Sequence, residues 1–384
     1  AAYNLQYPNY CKLFSRQNTQ VSIYRTWYNK LKTQSIISNN KHASRMYCTV
    51  LQGTGTGRTL RCIGNALGEI SSSKIQAATS RNYHSVHVHS GISSGCRMDY
   101  VRGWAYQQCY LDRRLRVQRE HRDMPTSAKT SPEYELFDRD RILILEHNHV
   151  YTLGRGADEN NLAFLENASI HHTVKDDIRK RLCRKTRGQS SCRLDASLMN
   201  RAPGSTIKND VCGISFPNPV FAPNGVPIYR IDRGGEVTYH GDSQLVVYPL
   251  LDLRRDPYKQ DLHWYLRCIE EVVIRVLKEY GIEGVRDSIN TGVWVGKNKI
   301  AAIGLSSARW ITTHGFALNV NPDLGMFDTS IIIPCGIRVE GRGVTSIAQE
   351  LNTSPPSLPE VAKVVLEKVG EVFQVPLQQG EDLT

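Results

Sequence analysis

The chain has 384 residues, 40% apolar and 22% charged, which is long enough for one large domain or two ordinary ones with a packed core. No stretch approaches the ~18 to 20 consecutive apolar residues of a membrane-spanning helix. The net charge of +11 suggests nucleic acid, but residues 1–95 hold eleven Lys and Arg against the single acid Glu69, which leaves only 11 − 10 = +1 on the remainder and removes the basis for a nucleic-acid-binding body.

Residues 1–95 are rich in Ser, Thr, Asn, Lys and Arg, and no helical or alternating pattern persists there. They read as a disordered leader of the transit-peptide kind, the alternative being untranslated sequence. QGTGTGRT (52–59) lacks the GK[ST] ending of a phosphate loop. Order is expected from Cys96, beginning with a helix that carries Val101, Trp104, Ala105, Cys109, Leu111 and Leu115 on one face. A polar loop (123–134) precedes RILILEHNHVYTLG, which reads as a buried strand, a turn and a second strand.

Residues 168–221 are basic and poor in large apolar side chains, and read as a mobile insertion. His171, His172, Cys183 and Cys192 lie within it, but their irregular spacing does not suit a metal. The ten cysteines form no CxxC pair and read as reduced thiols.

After Pro227, two β-type runs surround RGGEVTYHGDSQ (233–244). DLHWYLRCIEEVVIRVLKEYGI (261–282) is an amphipathic helix with a stripe from Leu262 to Leu277, stopped by Gly281. A meander turning at GKNK (296–299), a short helix at VTSIAQEL and a last helix from PPSLPEV follow. The expected fold is an α/β (α+β) domain, a mixed sheet flanked by helices, over 96–375, interrupted at 168–221 and followed by a tail at 376–384.

Three islands combine tight backbone with reactive side chains: RGGEVTYHG (233–241), KIAAIG with HGFALNV (299–320) and IIIPCGI (331–337). Cys335 lies between Pro334 and Gly336 and reads either as a nucleophile or as a structural turn cysteine. Lys299 enters an apolar run and reads as a desolvated base or as an ordinary hairpin lysine. His240 and His314 are candidates for pairing with Cys335 or for positioning a substrate. Ser243 has no later Asp-x-x-His partner, so a serine-hydrolase reading fails.

Together, RGGEVTYHG, KIAAIG, HGFALNV and IPCGI occur in the order and at separations that resemble the octanoyl (lipoyl) transferases. The resemblance covers 96–167 and 222–375 and looks most like the plant plastid and cyanobacterial branch. It implies the fold of the biotin and lipoate protein ligase superfamily. It also implies that Cys335 is the acyl-thioester cysteine and Lys299 the lysine that activates it. Arg233, Gly234, Gly235, Glu236, Val237, Thr238, Tyr239 and His240 match a substrate-binding stretch. So do Ala302, Ile303 and Gly304, together with Gly315, Phe316 and Ala317.

The implied reaction moves an octanoyl group from octanoyl-acyl carrier protein to a lysine of the lipoyl domains of 2-oxoacid dehydrogenase or glycine cleavage complexes. No metal, cofactor, nucleic acid or membrane is called for, and the chain is expected to be a monomer in the plastid, with the mitochondrion as alternative. Alternation suggests Val237, Ile303, Leu305 and Phe316 as the acyl channel, and Arg254, Arg255 and Arg338 as docking residues for an acidic carrier.

The family's usual Gly-Pro-Gly is here Gly241-Asp242-Ser243, and Thr313 replaces an aromatic. These departures and the insertion leave the reading of a catalytically impaired paralogue that only binds acyl carrier or lipoyl domains, and the implied fold leaves that of an ATP-dependent lipoate ligase, with Gly154-Arg155-Gly156 as a vestige of a nucleotide loop.

Overall fold

The computed structural model describes residues 85–92, 97–120, 139–167, 169–182, 219–334, 337, 341–351 and 353–382. The leader before residue 85, the expected loop at 123–134, and Cys183, Cys192, Cys335 and Arg338 lie outside them. The described residues all fall in one unit, 83–384.

Strands β1 (Val86–Ser90), β2 (Arg141–Leu145), β7 (Gln244–Leu250), β8 (Val285–Arg286), β9 (Val293–Val295), β10 (Asn298–Ala308), β11 (Ile311–Asn319) and β13 (Leu377–Asp382) form the larger sheet. Their order is β13-β1-β2-β7-β11-β10-β9-β8, and β12 (Gly343–Val344) pairs with the start of β10. β1 runs parallel to both β13 and β2, whereas β2/β7, β7/β11, β11/β10 and β10/β9 are antiparallel. The smaller sheet is β4-β5-β3-β6, from Val220–Phe221, Pro227–Arg230, Val150–Leu153 and Val237–His240.

Alternation along the strands feeds two cores. Ile142, Ile144, Leu245, Val247, Phe316 and Leu318 pack with helices α3 (Leu262–Glu279) and α5 (Leu358–Phe373) and with Ile347 of the short α4 (Ile347–Leu351). Leu143, Leu145, Val246, Tyr248, Leu250 and Ala317 face helix α1 (Tyr100–Glu120). The sheet is thus covered on both sides, and runs such as RILIL read as continuously apolar for that reason. A third cluster lies under the smaller sheet, where Tyr151, Tyr239 and Ile228 meet Phe164 and Phe327.

The helices begin where side chains can serve their free N–H groups. Asp261 accepts from the N–H groups of His263 and Trp264 at the start of α3, and Ser357 and Glu360 form a capping box at α5. Gly281 ends α3 with φ 73°, as the sequence suggested. Leu262, counted in the apolar stripe, is instead 43% exposed at the first helical position.

Three boundaries differ from expectation. β1 lies within the stretch assigned to the leader, yet Val86 is fully buried and the strand pairs on both sides. The assigned tail supplies β13, and the assigned insertion supplies helix α2 (His172–Leu182), whose Ile178 and Leu182 join the third cluster. Each is a short element with little periodicity of its own, and tertiary pairing rather than local pattern holds it. The rings of His171 and His172 lie 4.3 Å apart, and among the described residues no three His, Cys, Asp or Glu side chains are placed to hold a metal.

Candidate active site

A cavity opens between the two sheets, with about 730 Å³ of empty space including its mouth. β10 and β11 supply its floor, where Ala302 pairs with Ala317 and Gly304 with Gly315. Four small residues on one face of a sheet leave room that larger ones would fill. The strand-loop 233–240 supplies a side wall, and Tyr100, Tyr248, His314 and Phe327 line the rest with Pro334 and Ile337. These last two flank Cys335 in the chain. Pro334 bridges to Val237, and Ile333 exchanges bonds with Asn161: its N–H donates to the Asn161 carbonyl at 2.9 Å and its carbonyl accepts from Asn161 Nδ2 at 3.2 Å.

Lys299 is 6% exposed and lines this cavity. Its strand neighbour on β9 is Trp294, and its Nζ lies 4.8 Å from the centre of the Trp294 ring. The Arg342 guanidinium lies 4.8 Å from the same ring and donates to Asp287 at 2.7 Å. The aromatic face attracts the guanidinium by about 0.5–2 kcal/mol, and the lysine stem, with its Nζ over the same ring, is held in one direction. Gly292 makes room for that stem: at φ 132°, a β-carbon there would stand 3.3 Å from Lys299 Cε and 2.6 Å from the Ala301 carbonyl.

Three buried imidazoles adjoin the cavity. His147 meets the Met98 carbonyl through Nδ1 at 2.9 Å and the Tyr248 hydroxyl through Nε2 at 2.9 Å. A carbonyl only accepts, so Nδ1 carries the proton and Nε2 accepts from Tyr248. Burial lowers the His147 pKa to about 4. His314 is lowered to about 3 by burial, with Arg233 and Arg155 adding to the effect. Burial, then the nearby His147 and Arg233, holds His240 well below the ordinary value. All three are neutral near pH 7 and unsuited to pairing with a thiolate as imidazolium. His314 has φ 61° within β11, a conformation costing about 1–3 kcal/mol, and its N–H is held by Gln107 Oε1 of α1 at 2.6 Å.

The loop 154–156 closes on the glycine pair. The N–H groups of Gly154, Arg155 and Gly156 donate to the carbonyls of Glu236, Arg233 and Gly235 at 2.9, 2.8 and 2.9 Å. A β-carbon at Gly154 would lie 2.4 Å from the Gly235 oxygen, so the sequence Gly-Arg-Gly is what lets the two loops meet. Arg233 is buried and braces this corner, donating to the Thr152 carbonyl and hydroxyl at 2.8 and 2.9 Å.

The lipoyl protein ligase A/B catalytic domain matches residues 217–370. The octanoyltransferase of Flavobacterium johnsoniae is 35% identical over 285 residues, 72% of this chain and 93% of that protein. The chain belongs to the octanoyltransferase family. The Gloeobacter violaceus octanoyltransferase is 35% identical over 281 residues, covering 73% of this chain and 89% of its own. Octanoyltransferase LIP2p2, chloroplastic, of Arabidopsis thaliana is 37% identical over 247 residues, covering 62% and 67%. The chain is accordingly an acyltransferase of protein lipoylation.

In this octanoyltransferase the cavity collects Lys299, Arg233, Gly235, Glu236, Val237, Thr238, His240, Ala302, Ile303, Gly304, Gly315, Phe316 and Ala317. Gly234 and Tyr239 are not on its wall. Gly234 donates its N–H to the Leu305 carbonyl at 2.8 Å, and the Tyr239 ring turns into the third cluster with its hydroxyl 2.5 Å from His149 Nδ1. Leu305 is not on the cavity wall and packs against the cluster under α3 and α5. Arg254 is engaged by the buried Asp252 at 2.6 and 2.8 Å, so it is not a free docking cation. Tyr100, Gln244, Tyr248, Asn319 and Phe327 also line the cavity, although sequence reading assigned them no such place. Gln244 ends the quoted glycine-rich stretch, and its distance from His240 was the one available signal.

Proposed function

We propose that the chain moves an octanoyl group from octanoyl-acyl carrier protein to a lysine amine of a lipoyl domain, through a thioester on Cys335. The observation that carries this is a buried lysine in a small-residue cavity whose wall includes Pro334 and Ile337, the nearest described residues on either side of Cys335. Lys299 takes the thiol proton and the thiolate attacks the donor's thioester carbonyl. The carrier's phosphopantetheine sulfur leaves with a proton. In the second half, the amine attacks the Cys335 thioester, a C–N bond replaces the C–S bond, and the thiol is regenerated. Thioester to amide is downhill, so the exchange runs without ATP.

Two observations weigh against the other readings. The loop of a nucleotide-binding ligase needs free N–H groups for phosphates, whereas those of residues 154–156 are engaged by carbonyls. The altered Gly241-Asp242-Ser243 turn retains its ties to the site: the Ser243 carbonyl accepts from Val320 and Asn321 at 3.2 and 3.0 Å, so β11 keeps its register. Asp242 faces outward to Arg97 and His149. The chloroplastic and cyanobacterial relatives, with the acid-poor leader, support a plastid location, tested by where residues 1–84 carry a fluorescent protein.

The experiment is to incubate the protein with octanoyl-acyl carrier protein and weigh the intact chain. An octanoyl adduct that is lost in Cys335→Ala and formed at least about a hundredfold more slowly in Lys299→Met is expected, the scale of a general base. An adduct that persists in Cys335→Ala overturns the thioester.

A further inference from the structure

His240 is held by a chain of two side-chain amides, anchored on two backbone carbonyls, that leaves one possible tautomer. Asn319 Nδ2 donates to the Thr345 carbonyl at 2.9 Å, which turns Asn319 Oδ1 toward Gln244. Gln244 Nε2 donates to that oxygen at 2.9 Å and to the Tyr239 carbonyl at 3.2 Å. Gln244 Oε1 is therefore the atom that meets His240 Nδ1, at 2.8 Å, and it can only accept. Nδ1 carries the proton, and in a neutral ring Nε2 carries a bare lone pair.

The plane of that ring is fixed as well. Tyr100 stacks on it at 5.8 Å and 13°, and His147 meets it edge-on at 5.8 Å and 65°. Among the described residues Nε2 has no hydrogen-bond partner, and it is not one of the nitrogens sealed away from solvent space; His240 lines the cavity. The fold thus builds a pre-oriented acceptor into the same wall as Lys299 and beside the closed amide pair of Gln244 and Asn319.

An acyl chain and a thioester have no N–H or O–H to give such an acceptor. The attacking amine does. We infer that His240 Nε2 accepts a hydrogen bond from the amine of the acceptor lysine and turns its lone pair toward the thioester carbonyl. This rests on the thioester reading above and assigns His240 to its second half. The amine nitrogen bonds to the acyl carbon, the carbon–sulfur bond breaks, and the sulfur leaves as thiolate. The amine's surplus proton passes to that thiolate through Lys299. His240 orients the amine and ends the reaction as it began, neutral with its proton on Nδ1.

The two half-reactions separate in single-turnover experiments: adduct formation with octanoyl-acyl carrier protein, then adduct decay on adding a lipoyl domain, both followed by intact mass. His240→Asn places its polar atoms where Nδ1 stood, whereas His240→Gln reaches the place of Nε2 with an oxygen. Expected is transfer slowed at least about tenfold more than adduct formation in His240→Asn, the scale of one lost oriented hydrogen bond, with that difference largely recovered in His240→Gln. Matching circular dichroism qualifies each variant as folded. Transfer by folded His240→Asn at the wild-type rate, or equal slowing of both halves, overturns the inference. A wild-type chain that forms no adduct defeats instead the thioester reading on which it stands.

Discussion

Ser243 shows how one substitution registers in the backbone. It occupies φ 57°, the conformation that a glycine at this place in the family's motif adopts without strain. For a residue with a β-carbon this costs roughly 1–2 kcal/mol, partly offset by glycine's greater freedom when unfolded. The Ser243 N–H is held by Glu146 Oε1 at 2.8 Å, which helps keep the turn in place. Ser243→Gly should raise stability by up to about 1 kcal/mol, read as a later urea midpoint at unchanged slope. A midpoint that moves earlier would show that the serine is at no disadvantage there. At this scale much of the cavity wall was legible, because Lys299 and the residues around 233–240 sit in ordered local motifs. Tyr100, Gln244 and Asn319 were not, since α1, β7 and β11 bring them together from distant parts of the chain. Nor was the burial of three histidines, each of which looks like a surface loop residue in its own neighbourhood.

Among elements, the β10–β11 hairpin decides the shape of the cavity. Its register sets Ala302 opposite Ala317 and Gly304 opposite Gly315 on the open face, while Ala301 and Leu318 pack under α3 and α5. Alternation alone pointed to Val237, Ile303, Leu305 and Phe316, of which all but Leu305 line the cavity, and the small residues beside them leave its space open. The hairpin's own turn, Arg309-Trp310, takes φ 49° and 68° and carries none of the Asn-Gly signals by which such turns are read. Ala317→Val should shorten the acyl group accepted. The adduct from octanoyl-acyl carrier protein should form about tenfold more slowly while a butanoyl donor is little affected, since a filled site of one or two methylenes is worth about 1–3 kcal/mol. Equal slowing of both donors would place Ala317 away from the acyl path.

Over the whole molecule, three buried neutral imidazoles make stability depend on pH in one direction. The folded pKa values, about 4 for His147, about 3 for His314 and lower than ordinary for His240, all lie below the unfolded value near 6.5. Between those limits the unfolded chain binds more protons. Their contribution is therefore whole above about pH 6.5 and declines as the pH falls toward 4, by at most about 1.4 kcal/mol per pH unit for each histidine. Urea titrations at pH 7.5, 6 and 5 should show the midpoint falling, and His147→Gln should flatten the slope. An unchanged slope in that variant would mean that His147 is not buried as neutral imidazole.

The pairing of β1 with β13 bears on how the protein is made. Val86 and Leu377 are direct neighbours in the sheet, although about 290 residues of chain are synthesised between them. While a ribosome works through that interval, β1 presents one unsatisfied row of amides and carbonyls, the kind of edge to which stray strands add. Until the last strand docks, whether on the ribosome or after import, the edge of β1 stays open to stray strands, and a chaperone that covers it would reduce clumping.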